Sequence, residues 1–199
     1  LKPSLETGDI EILQPQPYIF WMDKLSEKFA DIGRITKRRK ISRGKVLHFL
    51  LSFIGNLAEE DGDQSLDQGL KEAGRVFPEI DDLTDYREAV RSIYETESLL
   101  WVFKREGARV FNERDIVTTA GQIKRLDRLI VDTEAVDIID FKSTQTDDSF
   151  FADDYHRRTI QDKRQVAEYM RLMHDIYPDK SIKGHILYLD TKNVVTVPA

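Results

Sequence analysis

Two aspartates and a lysine in the segment RLDRLIVDTEAVDIIDFK, Arg125 to Lys142, are the residues of this chain best suited to chemistry. Asp127 stands in its first half, and Asp140, Phe141 and Lys142 close its second. Both halves alternate as strands do, with side chains pointing to opposite faces in turn. Asp127, Leu129 and Val131 share one face, and so do Val136, Ile138, Asp140 and Lys142. A two-residue turn at Thr133-Glu134 sets Val131 against Val136, Leu129 against Ile138 and Asp127 against Asp140. Directly opposed Cβ atoms lie roughly 4.5–5.5 Å apart, so the two carboxylates repel unless a cation sits between them. A divalent ion there, with a lysine beside it, is equipment for hydrolysing a phosphodiester. Thr-Glu, however, lacks the Asn or Gly that tight hairpin turns favour. A three-residue loop over 132–134 shifts the pairing by one and separates the aspartates. The plain alternative makes both aspartates solvated, with Asp127 paired to its neighbours Arg125 and Arg128. The apolar residues on the same face argue instead for a cleft, where a buried carboxylate needs a partner.

The elements that must position these groups follow from periodicity and punctuation. Residues 1–17 are polar, with prolines at 3, 15 and 17, and read as an extended linker. Residues 18–107 form a helical region. Its pattern predicts a helix over 18–32, a basic connector over 34–41 and a second helix capped by Ser42 and ending near Glu60. Three more helices follow near 64–75, 84–95 and 96–107. Residues 108–199 form a sheet-and-helix core: strands at 110–119, 121–131 and 135–142, a polar loop at 143–155, a helix at 159–176, and strands at 184–190 and 193–199. The order predicts an α/β fold with helices on a mixed sheet and a helical region at the N-terminal side.

Composition narrows the classes. The chain has 199 residues, enough for one domain or one domain with a helical extension. It has no cysteine, which excludes disulfides, zinc ribbons, thiol nucleophiles and a cysteine-held iron–sulfur cluster. No apolar run approaches the roughly 20 residues of a membrane helix and no secretory signal is visible, so a cytoplasmic location without a membrane partner is expected. The net charge of −6 is awkward for a nucleic-acid ligand. Cations are nonetheless grouped: KRRK at 37–40 with Arg43 and Lys45, and His156, Arg157, Arg158, Lys163 and Arg164. The linker-like opening from Leu1 leads us to expect a chain cut from something longer, with part of any nucleic-acid affinity elsewhere.

His48 lies within an apolar helix, usually the place of a core histidine. At 100° per residue, Gly44, His48, Leu51 and Gly55 fall on one strip. Glycines beside the imidazole let the helix approach another backbone closely, setting His48 against the sheet where it can ligate a metal or a bridging water.

Taken together, Arg43-Gly44-x-x-x-His48-x-x-Leu51, Asp127 in RLDRL, Asp140-Phe141-Lys142 and Gln165-x-x-x-Tyr169 resemble the RecB-type branch of the PD-(D/E)xK nucleases, over about residues 41 to 190. The resemblance implies a restriction-endonuclease-like fold and a Mg²⁺- or Mn²⁺-dependent DNase without an iron–sulfur cluster. It further implies a role in DNA repair or recombination beside a helicase or translocase region of the same parent chain or complex. By the same resemblance, Asp127, Asp140, His48 and the Phe141 carbonyl ligate the ion, and Lys142 orients or activates the attacking water. Glu113, or Asp115 of the same parity, is a further acidic candidate. Gln165 and Tyr169 brace the site and touch DNA, as does Arg43. Phe150 and Phe151 in the polar loop can stack on unpaired bases or anchor the loop. The alternative is a nuclease-like module that only binds DNA or a protein.

Overall fold

A computed structural model describes residues 43–117, 121–143 and 152–198, with the side chains of 152–158 outside the description. The expected linker at 1–17, helix at 18–32, basic run at 37–40, Ser42 cap and Phe150-Phe151 lie outside the described residues, as do the side chains of His156, Arg157 and Arg158. Among the described residues no helix is long and apolar enough to cross a membrane.

Five strands make one mixed sheet in chain order: β1 (Arg109–Val117), β2 (Ile123–Val131), β3 (Ala135–Lys142), β4 (Ser181–Tyr188) and β5 (Asn193–Val197). Pairing is antiparallel except between β3 and β4. Parallel neighbours need a crossover, which helix α5 (Ala152–Ile176) supplies. The sheet is covered on both faces. On one lie α1 (described over 43–51), α2 (Gly62–Val76), α3 (Thr84–Tyr94) and the short α4 (Leu100–Phe103), which share a core with Ile130, Ile139, Phe141 and Leu187. On the other, Val166, Tyr169, Met170 and Met173 of α5 pack on Leu129, Val131, Val136, Ile138 and Ile186. Strand parity sorts most of these residues between the two cores, but Ile116 and Leu126 lie with the α5 core although their parity matches Val110 and Ile130, so the alternation inverts beside Glu113 and Asp127, where the β1–β2 ladder lacks a pair. Gly184 lets α5 sit close to β4: a Cβ there would stand 2.4 Å from Val166 Cγ1 and 2.6 Å from Met170 Sδ.

The β2–β3 hairpin has the register that a two-residue turn dictates: Val131 opposes Val136 and Leu129 opposes Ile138. Thr133-Glu134 turns without Asn or Gly because Asp132 braces it from outside. Its Oδ1 accepts from Glu134 N–H at 2.9 Å and Ala135 N–H at 2.6 Å, an Asx-type turn.

Four expectations need correcting. The helix carrying His48 ends at Leu51, not near Glu60. The carbonyls just past its end are taken by side chains from the sheet: Asn112 Nδ2 donates to Ser52 O (2.9 Å) and Ile54 O (2.8 Å), and Arg128 donates to Ile54 O and Gly55 O. Gly55 is thus not on the helical strip of His48. The helix expected over 96–107 is a 3₁₀ turn (Glu97–Leu99) running into α4. Asn56 diverts the chain there, donating to Arg105 O (2.7 Å) and Ala108 O (3.0 Å) and accepting from Arg105 N–H (3.0 Å). Helix α5 begins at Ala152, seven residues before the expected 159. Strand β4 spans Ser181–Tyr188 rather than 184–190.

Candidate active site

The β2–β3 ladder runs from Val131↔Val136 to Arg128↔Ile139. One step beyond, where Asp127 and Asp140 would meet, side chains take over from backbone pairing. Phe141 N–H donates to Asp127 Oδ2 at 2.7 Å. His48 reaches the same oxygen from α1, with Nδ1 at 3.8 Å, and its ring meets Phe141 edge-on at 5.9 Å. Gly44 permits this approach: a Cβ there would stand 2.8 Å from Ser143 Oγ, so α1 rests on the residue that follows Lys142.

Asp140 is 3 % exposed. Its Oδ2 lies 2.7 Å from Lys142 Nζ, a close buried ion pair. Burial pushes the Asp140 carboxyl up to about 6, resisted by Lys142 and assisted by Asp127 and Asp162. For Lys142 burial works the other way, but Asp140, with Asp162 and Asp127 further off, more than offsets it and holds the ammonium above the usual lysine range. The ammonium also donates to Gln165 Oε1 (3.2 Å) and lies 3.8 Å from Asp162 Oδ1. Gln165 Nε2 in turn donates to the Tyr169 hydroxyl at 2.7 Å. Tyr169 is both a core residue of the α5 face and the brace of the glutamine.

The third strand supplies Glu113. β1 and β2 keep one register throughout, but the ladder lacks the pair that would join Glu113 to Asp127. Glu113 has φ +48, a left-handed conformation that a non-glycine residue adopts rarely and at a cost of roughly 1–3 kcal/mol. Burial raises its pKa, as does Asp127, against the pull of Arg125 and His48. Asp115 is separated from this group, since Arg125 holds it with Nε at 2.7 Å and Nη2 at 3.1 Å. Asp127 thus falls at the gap in the β1–β2 ladder and just past the end of the β2–β3 ladder, where its charge acts on both Glu113 and Asp140, with His48 from α1 and Lys142 from β3 beside them.

Among the described residues, no three His, Asp or Glu side chains stand close enough to hold an ion as placed. Two acceptors are already engaged: Phe141 N–H holds Asp127, and the Lys142 ammonium stands against Asp140. Asp127 and Asp140 offer the hard carboxylate oxygens that a divalent ion takes, while at Asp140 Oδ2 the Lys142 ammonium already supplies a positive charge. Arg43 stands off from this group, half exposed and 3.6 Å from Asp190.

Two clusters escaped the sequence reading. Arg128 does not pair with Asp127. It is wholly buried on the opposite face, donating to Val102 O (2.9 Å), Ile54 O (2.6 Å), Asn112 Oδ1 (2.9 Å) and Gly55 O (2.7 Å). Burial pulls its pKa down to about 9, so it is still a cation at neutral pH. Its parity with Ile130 was the available signal. The second cluster is buried Asp137, whose Oδ1 meets His185 Nε2 at 3.0 Å and whose Oδ2 accepts from Arg105. No family profile matches the chain, and no curated protein matches it.

Proposed function

We propose that this chain is a metal-dependent nuclease module with a restriction-endonuclease-like core. It hydrolyses DNA phosphodiesters and works beside a helicase or translocase region of a longer protein or complex, as its RecB-type resemblance implies. The observation that carries the reading is the convergence of Glu113, Asp127 and Asp140 from three neighbouring strands, with His48 and Lys142 at their sides. Asp127, Asp140, Glu113 and His48 would hold Mg²⁺ or Mn²⁺, with the Phe141 carbonyl as a further oxygen. The ion would supply Lewis acidity toward the phosphate and ease deprotonation of the attacking water. Lys142, kept charged by Asp140 and oriented by Gln165, places a positive charge where the phosphoryl oxygens gain negative charge. Tyr169 fixes Gln165 and through it the ammonium. Cleavage adds water to phosphorus and breaks one P–O ester bond, giving a phosphomonoester and a free hydroxyl.

The rival reading, a nuclease-like module that only binds DNA or a protein, draws on the engagement of Asp127 and Asp140 by groups of the chain itself. Titration with Mn²⁺ separates the two. The nuclease reading expects thermal stabilisation by Mn²⁺ that vanishes in Asp127→Ala, and Mn²⁺-dependent DNA cleavage abolished by Asp140→Ala and by Lys142→Ala. Undiminished cleavage in the last two variants would sink it.

A further inference from the structure

Glu113 and His48, at the edge of the carboxylate group, line a cleft of about 670 Å³ on the α1 side, bounded further by Phe49, Phe77, Lys45 and Arg125. Its size lies within the roughly 300–1,000 Å³ of sites that take small organic ligands. The chemistry described above uses only His48 and Glu113. The rest of the wall has its own character. Phe49 and Phe77 are half-buried and meet edge-on with centroids 5.4 Å apart, and Phe53 backs Phe49 at 5.2 Å. The aromatic wall is thus braced before any ligand arrives. Lys45 is exposed at the rim, whereas Arg125 is held by Asp115. A ligand filling this cleft meets Glu113 and His48 at one end and aromatic rings at the other.

We infer that the cleft is a subsite for one unpaired nucleobase adjoining the phosphate at the carboxylates, with Phe77 as its stacking partner. This rests on the nuclease reading for the position of the phosphate. A base inside a duplex is stacked on both faces and cannot enter a concave pocket without leaving the stack, so the subsite selects single strands and frayed ends. Lys45 contributes sequence-independent attraction to the backbone.

The test uses the full chain with Ca²⁺, an oxygen-seeking ion, and two probes: oligothymidylate followed by anisotropy, and an oligonucleotide carrying one 2-aminopurine followed by fluorescence. Stacking on an aromatic residue is sequence-tolerant and its loss weakens binding by roughly 5- to 150-fold. Phe77→Leu keeps the apolar bulk and loses the ring. It should weaken oligothymidylate at least about fivefold, leave blunt duplex binding unchanged and abolish 2-aminopurine quenching, while Phe77→Trp restores all single-strand readouts. Equal single-strand affinity in Phe77→Leu and wild type overturns the subsite, as does an equal loss on duplex. Absence of quenching in the wild type overturns it without any variant. Cleavage is followed separately with Mn²⁺. DNA cleavage without quenching removes the subsite and spares the nuclease reading, whereas ring-dependent quenching without cleavage does the reverse.

Discussion

Replacing Asp140 by Asn should make the metal-free protein more stable and cost it its metal. Asp140 is buried, and its carboxyl is raised from 3.8 to about 6 by that burial, against Lys142 and with help from Asp127 and Asp162. The folded state therefore holds this proton more tightly than the unfolded chain does. Stability from the protonated form is fully present below about pH 3.8 and is lost as pH rises through about 6. Each pKa unit is worth about 1.4 kcal/mol, so ionising Asp140 in the fold costs on the order of 3 kcal/mol at pH 7.5. Asn keeps the shape and removes the charge. Asp140→Asn should raise Tm at pH 7.5 by roughly 6–12 °C, taking about 2–4 °C per kcal/mol for a chain of this size. Near pH 4 the gain should shrink to nothing. Mn²⁺, which stabilises the wild type by binding only the folded state, should leave the variant unmoved. Calorimetric melts at both pH values, with and without Mn²⁺, measure all of this. An Asp140→Asn protein that melts at or below the wild-type temperature at pH 7.5, or that gains equally at pH 4, refutes the account of Asp140 as a charge held at a loss.

Arg128→Met should destabilise the protein by roughly 3–5 kcal/mol, because the buried acceptors at Val102 and Gly55 lose their donor; denaturant melts check this, with Arg128→Lys expected between the two. Gly184→Ala should cost about 1–3 kcal/mol by forcing α5 off β4, and a melting temperature within 1 °C of wild type would contradict the close approach described. Glu113→Gly should relieve the left-handed strain at φ +48 and stabilise the metal-free fold by about 0.5–1 kcal/mol while weakening Mn²⁺ binding, both read by thermal melts with and without the ion.

How much of this was legible in the sequence differs from residue to residue. The register of the β2–β3 hairpin could be worked out from parity and turn length because the side-chain period is two and a slip inverts every face. The expected opposition of Asp127 and Asp140 lies one step past the last pair, Arg128↔Ile139, and is not formed as a backbone pair. The helix–strand order also followed, since the change of period after Gly107 is sharp. What failed were decisions made by long-range contacts. The end of the His48 helix depends on Asn112 and Arg128, roughly 60 and 75 residues downstream, and no local pattern marks carbonyls that will be taken by distant side chains. The break at α4 depends in the same way on Asn56. Glu113 and Asp115 share parity, and sequence alone left them equivalent. A backbone reversal at Glu113 and the fork of Arg125 on Asp115 separate them.

The site and its support pull in opposite directions. At one end of the sheet, Asp140 is ionised in a dry place and Glu113 holds a left-handed backbone. Together they cost on the order of 4 kcal/mol, a large part of the 5–15 kcal/mol by which a domain of this kind is stable. On the opposite face Arg128 and Asn112 fasten the end of α1 to β1 and β2, which fixes the helix that brings His48 to Asp127. A module that only bound a partner would gain stability by replacing either acid and would lose nothing in return. A module that holds a cation keeps both acids at that cost for the ion's sake, and needs a rigid clamp elsewhere to withstand the strain. The two readings thus predict opposite couplings. In a metal enzyme, Asp140→Asn and Glu113→Gly gain stability and lose metal response together. In a binding module the gain comes alone, with no metal response to lose.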